Sequence, residues 1–219
     1  LFSLLYLDAR SQDLTDPLTK ARLLIGQREN EGAVLILNDL IKSNPTNYDI
    51  LMYRSKAFFQ MGQLDDSLND AKEMLKHEKS LTKDQKYNAN WNAGIALFTQ
   101  SQIDSSLVYI IEAQKLKSKD FKTNQTLALV YMNLNRYDES MKFLELAGKI
   151  NPNHFSNYKL KGQLYLMQVN LEKAILNLDK SINLNPSFAS SYENRAAAKI
   201  LMNNLDEACE DLKKAYTLG

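Results

Sequence analysis

The chain has 219 residues, 44% of them hydrophobic, and a formal net charge of +1, so it is long enough to bury a sizeable core. Its 27 basic and 26 acidic residues form no long run of one sign, which argues against a nucleic-acid partner because phosphate binding needs a concentrated basic surface. A single cysteine excludes an intramolecular disulfide, and no stretch approaches the roughly 18 apolar residues of a transmembrane helix.

The first thirteen residues, 1–13, lie outside the pattern of the rest of the chain and allow two interpretations. Residues 1–7 are apolar and residues 9–11 read Ala-Arg-Ser, which resembles a signal-peptide cleavage site. A signal-peptide remnant would favour a periplasmic or cell-envelope location. The alternative is an N-terminal capping helix that covers the first repeat, in which case the location is cytoplasmic. The sequence leaves both open.

From residue 14 onward, small residues recur in two rows that keep the same intervals of 34, 39, 34, 34 and 34 residues. A fixed period of this size predicts a stack of supersecondary repeats, each of which completes the core of its neighbour. Small side chains would let helices approach closely where they cross. The first row is Ala21, Ser55, Gly94, Ala128, Gly162 and Ala196, and the second is Ala33, Ser67, Ser106, Ser140, Ala174 and Ala208.

Each repeat contains two stretches of helical apolar spacing, which predicts a helical hairpin. In the repeat 121–154, Leu127 and Tyr131 belong to the first stretch, and Tyr137 and Leu144 belong to the second. Acidic residues follow the break, where the first turn of a helix attracts negative charge. The breaks carry Gly or Asn, which readily adopt the left-handed conformation at a helix end: Gly62, Asn133, Asn135, Asn170, Asn203 and Asn204.

This pattern resembles the tetratricopeptide repeat, a 34-residue helix-turn-helix unit. The last two repeats carry the resemblance best, through Tyr158, Gly162, Tyr165, Leu171, Ala174, Leu178 and Pro186, and through Tyr192, Ala196, Leu205, Ala208, Leu212 and Ala215. It implies an all-α fold, a right-handed α-solenoid of about six hairpins. The final repeat resembles the terminal repeat of bacterial cell-envelope members of the family. The predicted repeats are 14–47, 48–86, 87–120, 121–154, 155–188 and 189–219.

The one 39-residue interval contains five extra residues, which we place in the polar run from Lys76 to Lys86. They predict either a lengthened helix or loop, or a protrusion that binds a partner. Because this is the only break in the period, a bend of the stack is expected there. No Pro or Gly marks a linker in the run, so the sequence predicts a single domain, 14–219.

The sequence contains no recognisable motif for a catalytic, cofactor or metal site. Cys209 follows Ala208 in the last helix and is predicted to be buried. His77 and His154 belong to different repeats, lack metal-ligand spacing and are predicted on the surface or in turns. We find no nucleophile elbow, phosphate-binding glycine loop or dinucleotide fingerprint. The sequence therefore predicts a protein that is not an enzyme and holds no cofactor or metal.

The resemblance implies that the first helix of each hairpin lines a concave groove for an extended peptide or a partner's helix. Trp91 is the sharpest anchor candidate, and the alternative is that it packs against the preceding hairpin. Projecting the register gives Met52, Tyr53, Lys56, Phe59, Trp91, Asn92, Ile95 and Phe98, then Lys122, Gln125, Leu129, Asn133, Lys159, Gln163, Met167, Glu193, Asn194 and Ala197.

Two functional classes follow. The leading hypothesis is a non-enzymatic scaffold that binds a protein or peptide partner in the groove. The alternative is a structural or assembly subunit that packs through its ends or its convex face in a larger, possibly cell-envelope, complex. A Lys–Asn clamp for chaperone tails is disfavoured, because Gln163 stands where that clamp has Asn and no third hairpin follows Lys159 and Asn194.

Overall fold

The computed structural model describes residues 16–219, so both interpretations of residues 1–13 fall outside the described residues. Twelve α-helices and one short 3₁₀ turn, Glu78–Ser80, make up the regular structure of this part of the chain, which contains no strand. The predicted all-α fold is confirmed. The helices are α1 (Pro17–Gly26), α2 (Asn30–Ser43), α3 (Tyr48–Gln60), α4 (Leu64–Lys76), α5 (Lys83–Thr99), α6 (Ile103–Leu116), α7 (Phe121–Asn133), α8 (Tyr137–Ile150), α9 (Phe155–Met167), α10 (Leu171–Leu184), α11 (Ala189–Leu201) and α12 (Leu205–Leu218).

Consecutive helices pair into six hairpins, which form two compact units. The N-terminal unit contains α1 to α6 and ends at Leu116, and the C-terminal unit begins at Lys117 and contains α7 to α12. Within each unit the first helices of the hairpins contact one another, and each second helix also contacts the first helix of the next hairpin. The single domain inferred from the sequence stays a prediction.

All twelve positions of the two small rows are buried, as predicted. In the second hairpin, Ser55 Oγ donates a hydrogen bond to the carbonyl oxygen of Ser67 at 2.8 Å. In the third, Ser106 Oγ donates to the carbonyl oxygen of Gly94, also at 2.8 Å. The two rows therefore meet where the paired helices cross, and the small hydroxyl side chains of Ser55 and Ser106 satisfy their hydrogen bonds there without holding the backbones apart.

Each hairpin turn contains one residue with positive φ. Of the six Gly and Asn residues predicted to adopt this conformation, three do so. Gly62, Asn135 and Asn203 adopt this conformation as expected, with φ of 76°, 56° and 63°. The prediction is wrong at three asparagines, because Asn133 lies inside α7, and Asn170 and Asn204 are the N-cap residues of α10 and α12. The remaining turns place Arg28, Ser101 and Val169 in the left-handed region, which these residue types do not favour.

Replacement of Val169 is expected to stabilise the folded protein. Its φ is 57° and its side chain is 71% exposed, so a β-branched residue there carries backbone strain without compensating packing. We expect Val169→Asn to raise the free energy of unfolding by about 1 kcal/mol, because Asn tolerates this conformation. Val108→Asn, an exposed helical position in α6, is the control and should be neutral, since the helix propensities are similar. Equal urea midpoints for the two variants would contradict the strain.

The five extra residues of the 39-residue interval form part of the packed structure. Leu81 is buried between α4 and α5, and Thr82 caps α5, which begins one turn before the repeat boundary expected at residue 87. Gln85 Nε2 donates to Asp49 Oδ1 at 2.8 Å and so ties the added turn to α3. This geometry agrees with the lengthened helix. The division between the compact units follows Leu116, and the bend expected at the extra segment stays a prediction.

Candidate protein-binding surfaces

The first helices of the N-terminal unit present half-exposed aromatic rings beside cations. The Tyr53 ring is half-buried, and the Arg22 guanidinium carbon lies 5.2 Å from its centroid. Thr19, Arg22, Leu23 and Ile25 of α1 line a pocket of about 380 Å³ together with Tyr53 and Lys56 of α3. We call this the α1–α3 pocket.

The α1–α3 pocket joins two predicted groove residues with residues that the sequence analysis missed. Tyr53 and Lys56 are the predicted ones. Thr19 and Arg22 stand 34 residues before them, so the repeat register, carried one hairpin further back, could have found both.

Further along the same unit, the predicted residues divide between surface and interior. Trp91 is half-buried and its ring stacks on Tyr87 of the same helix, with centroids 6.2 Å apart and planes 13° apart. Asn92 instead points into the contact between α3 and α5 and donates to Ser55 Oγ at 3.1 Å. Met52 packs against the core cluster of α3, α4 and α5. Lys56 is exposed, whereas Phe59, Ile95 and Phe98 are half-buried.

The first helices of the C-terminal unit carry mostly amides and lysines. Gln125 and Ser156 exchange hydrogen bonds between α7 and α9, at 3.0 and 3.2 Å. Asn133 is exposed and donates to the carbonyl oxygen of Leu129, whose side chain packs on the core of α7 to α9. Asn194 donates to the carbonyl oxygen of Ser190. Lys122, Glu193, Met167 and Ala197 are exposed.

Lys159 is the most electrostatically perturbed residue of this surface. Burial lowers the pKa of its ammonium group, and the nearby carboxylate of Glu193 acts in the opposite direction. The Nζ atom donates to Gln163 Oε1 at 2.9 Å. The predicted pair Lys159 and Gln163 is thus brought together, with a neutral amide oxygen as the acceptor for a half-buried cation.

One arginine in each unit ties three successive helices together, a feature that the sequence analysis missed. Arg54 of α3 donates to both carboxylate oxygens of Asp70 in α4, at 2.8 and 2.7 Å, and to Asn38 of α2 at 2.7 Å. Arg195 of α11 does the same with Asp211 of α12 and with Asp179 of α10. The partners lie 16 residues before and after each arginine, and this shared spacing was the available signal.

A family model described as tetratricopeptide repeat matches residues 121–154, the hairpin of α7 and α8. This match identifies the hairpin of α7 and α8 as a tetratricopeptide repeat. The chain has the fold of this family, which serves protein–protein interaction. No curated protein matches the sequence.

Solved structures of tetratricopeptide repeat proteins resemble the chain. MamA (residue 41 to the end) from Desulfovibrio magneticus RS-1 is 21% identical, covers 79% of this chain and 95% of its own, and has a TM-score of 0.66. A tetratricopeptide repeat protein from Parabacteroides merdae ATCC 43184 is 18% identical, with coverages of 95% and 80% and a TM-score of 0.71. YrrB, titled a protein with an unusual peptide-binding site, is 16% identical, with coverages of 83% and 91% and a TM-score of 0.62. At these identities the likeness shows the fold.

Cys209 corrects the sequence-based prediction, because it is exposed. The buried positions of the last helix are Ala208, Asp211 and Ala215. A step of one residue turns a side chain by about 100° around a helix, so the neighbour of a buried alanine faces away from the core. The thiol therefore lies on an outer face of this hairpin.

Within residues 16–219, no group of three or more His, Cys, Asp or Glu side chains could hold a metal ion. His77 is exposed at the end of α4, and His154 is the N-cap residue of α9, where its ring stacks on Phe155 and lies tilted against Phe121. Both histidines lie in turns, as predicted. Over the same described range, every helix is too short or too polar to span a bilayer.

Proposed function

We propose that this chain is a non-enzymatic scaffold that binds a segment of a protein partner, an extended peptide or a helix, along the first helices of its hairpins. The observation that carries the proposal is the α1–α3 pocket, where Tyr53 is flanked by the cations Arg22 and Lys56. Aromatic side chains and arginines are the residues that most often anchor protein interfaces. The pocket thus favours an apolar partner side chain with an acidic neighbour.

The two units offer different chemistry to such a segment. In the N-terminal unit, Trp91 adds a second half-buried ring to Tyr53. In the C-terminal unit, Gln125, Gln163 and Asn194 supply amide groups that can pair with the backbone of an extended chain. Lys159 supplies a half-buried cation, for which a partner carboxylate is a stronger acceptor than an amide. Each unit by itself therefore has the groups to hold part of a peptide.

The test is selection of binding peptides from a random displayed library with the wild-type chain. In the combined variant Tyr53→Ala and Trp91→Ala, we expect affinity for peptides bound by the N-terminal unit to fall at least about tenfold, because two ring anchors are removed. The matched control is Leu35→Ala with Val108→Ala, which truncates exposed side chains on α2 and α6 of the same unit. Titration by fluorescence anisotropy measures both. Equal affinities would contradict binding on this surface.

The last hairpin supports a second candidate function, an assembly subunit that packs through an end of the chain's helical array. Several large apolar side chains of α11 and α12 are exposed, namely Ile200, Leu201, Met202, Leu205 and Leu212. Contiguous exposed apolar surface commonly marks an interaction site. Under this function, Leu212→Glu should abolish a higher-mass species and leave peptide binding by the N-terminal unit intact.

A further inference from the structure

The outer face of α12 carries one continuous stripe of non-polar side chains. Leu205, Cys209, Leu212 and Tyr216 are spaced by four, three and four residues, which places them on one side of the helix. Leu205 is 55% exposed, Leu212 is 45% exposed and Tyr216 is 89% exposed, and Cys209 is exposed as well. We call these four residues the α12 stripe. The side of α12 that carries Ala208, Asp211 and Ala215, about a quarter turn around the helix from the stripe, packs on α11.

The equivalent positions one repeat earlier indicate which kind of element can pack against the α12 stripe. One period earlier, α10 has Leu171, Ile175, Leu178 and Ile182 at the same four positions. Leu178 shares a core cluster with Ala198 of α11, and Ile182 shares one with Tyr192 of α11. Helix α11 follows α10 through a short connection, so the two run in opposite directions. By analogy, the α12 stripe is a surface against which a helix antiparallel to α12 can pack.

The α12 sequence is complementary to itself in that orientation. Its first half is acidic at Asp206, Glu207 and Glu210, and its second half is basic at Lys213 and Lys214. When two copies of the helix lie antiparallel, each acidic half faces the basic half of the other copy. This charge arrangement opposes a parallel pair, in which like charges would face each other.

We propose that two copies of this chain associate through α12, antiparallel and related by a twofold axis near its middle. Leu205 then lies opposite the second copy's Tyr216, and Cys209 lies opposite the second copy's Leu212. Asp206 and Lys213, both exposed, flank the stripe on one side, so Asp206 lies beside the second copy's Lys213. The same surface serves both partners, as a twofold interface requires. The proposal rests on the second candidate function and names its partner as a second copy.

The expected dimer is reversible. One helix pair, extended by Leu201 and Met202 at the adjoining turn, lies at the small end of the range of specific interfaces. Association is therefore expected in the micromolar range. Sedimentation velocity over about two decades of concentration around that range is the appropriate measurement.

Sedimentation of wild type, Leu212→Glu and Leu176→Glu tests the proposal. Leu176 is 69% exposed on α10 and is the matched control for the same chemical change away from α12. Wild type and Leu176→Glu should show the same concentration-dependent dimer, and Leu212→Glu should stay monomeric with an unchanged circular dichroism melt. A monomeric wild type, or a dimer that persists in Leu212→Glu, overturns the proposal.

Three further variants test the interface and its antiparallel arrangement. Because Cys209 is the only cysteine, a short bismaleimide should link two chains in wild type and in Leu176→Glu, but in neither Cys209→Ser nor Leu212→Glu. Lys213→Glu should weaken the dimer at least about threefold because it places an acidic residue beside the second copy's Asp206, while Lys142→Glu on α8 should not. A tighter Lys213→Glu dimer would overturn the orientation. Peptide affinity of the N-terminal unit should be the same in all these variants, so failure of peptide capture and failure of dimerisation are separate results.

Discussion

Replacing Asp211 by asparagine should lower the free energy of unfolding by about 2 to 3 kcal/mol at pH 7. Asp211 is buried and accepts hydrogen bonds from Arg195 Nε at 2.9 Å, Arg195 Nη2 at 2.5 Å and Lys199 Nζ at 2.9 Å. Asparagine removes the negative charge and leaves Arg195 and Lys199 with only the more exposed carboxylates of Asp179 and Glu207 as counterions. The expected loss is smaller than for a fully buried pair because the Arg195 side chain keeps partial contact with solvent.

The pH dependence of this loss follows from the pKa of Asp211. Burial acts to raise it, but the hydrogen bonds from Arg195 and Lys199 together outweigh burial and hold the pKa below its ordinary value of 3.8. A carboxyl group with a lowered folded pKa stabilises the protein above its unfolded pKa, and the contribution disappears as the pH falls through the folded value. The difference between wild type and Asp211→Asn should therefore be full at pH 7 and shrink below about pH 4.

Asp70, the equivalent residue of the N-terminal unit, provides an internal comparison. Burial raises its pKa, and the hydrogen bond from Arg54 only partly offsets this. Its ionised form is therefore less favourable in the folded state, and Asp70→Asn should cost less at pH 7 than Asp211→Asn. Asp39→Asn, which breaks an exposed pair with Lys42, should cost less than about 1 kcal/mol. Urea unfolding at pH 7 and pH 3 measures all three, and a loss at Asp211 no larger than that at Asp39 would refute the role of the carboxylate.

The fold could be predicted because the same sequence signals recur in every repeat. Twelve small positions, helical spacing and first-turn acidic residues all point to the same hairpin, and tertiary packing agrees with each. The three-helix contacts of Arg54 and Arg195 could not be predicted from one helix at a time, since their partners come from two others. Left-handed turns at Arg28 and Val169 were missed because the connection imposes a conformation that these residues disfavour.

The candidate surface was predicted less well than the fold, because it depends on the rotation of each helix. The repeat register predicts which side of a helix a residue occupies. At the edge of the exposed side, a rotation of the helix by a few tens of degrees decides whether the side chain points into solvent or into a helix contact. Tyr53 and Lys56 line a pocket, whereas Met52, directly before Tyr53 in α3, and Asn92 of α5 point into helix contacts. Cys209 is the opposite case: it was expected to be buried and is exposed, because it lies only one position from the buried Ala208.

A single added methyl group at Gly162 should cost about 1 to 3 kcal/mol of unfolding free energy, although alanine is intrinsically the better helix former. A Cβ atom there would lie 2.5 Å from Leu178 Cγ, 2.9 Å from Leu178 Cδ2 and 3.2 Å from the carbonyl oxygen of Ala174. Leu178 is fully buried, so its side chain has no room to retreat, and the carbonyl belongs to the backbone of α10. To accept the methyl group, α9 and α10 must move apart, which loosens the packing of their neighbours as well.

Gly26→Ala is the matched control for this prediction, because nothing lies within 4 Å of a Cβ added at that helical position. There the substitution should stabilise the protein by about 0.5 to 1 kcal/mol, since it reduces the conformational freedom of the unfolded chain. The two glycine-to-alanine changes should therefore shift the urea midpoint in opposite directions. A shift of the same sign at Gly162 and Gly26 would mean that α9 and α10 have room to spare, and that a small residue at this crossing is not required for the hairpins to stack.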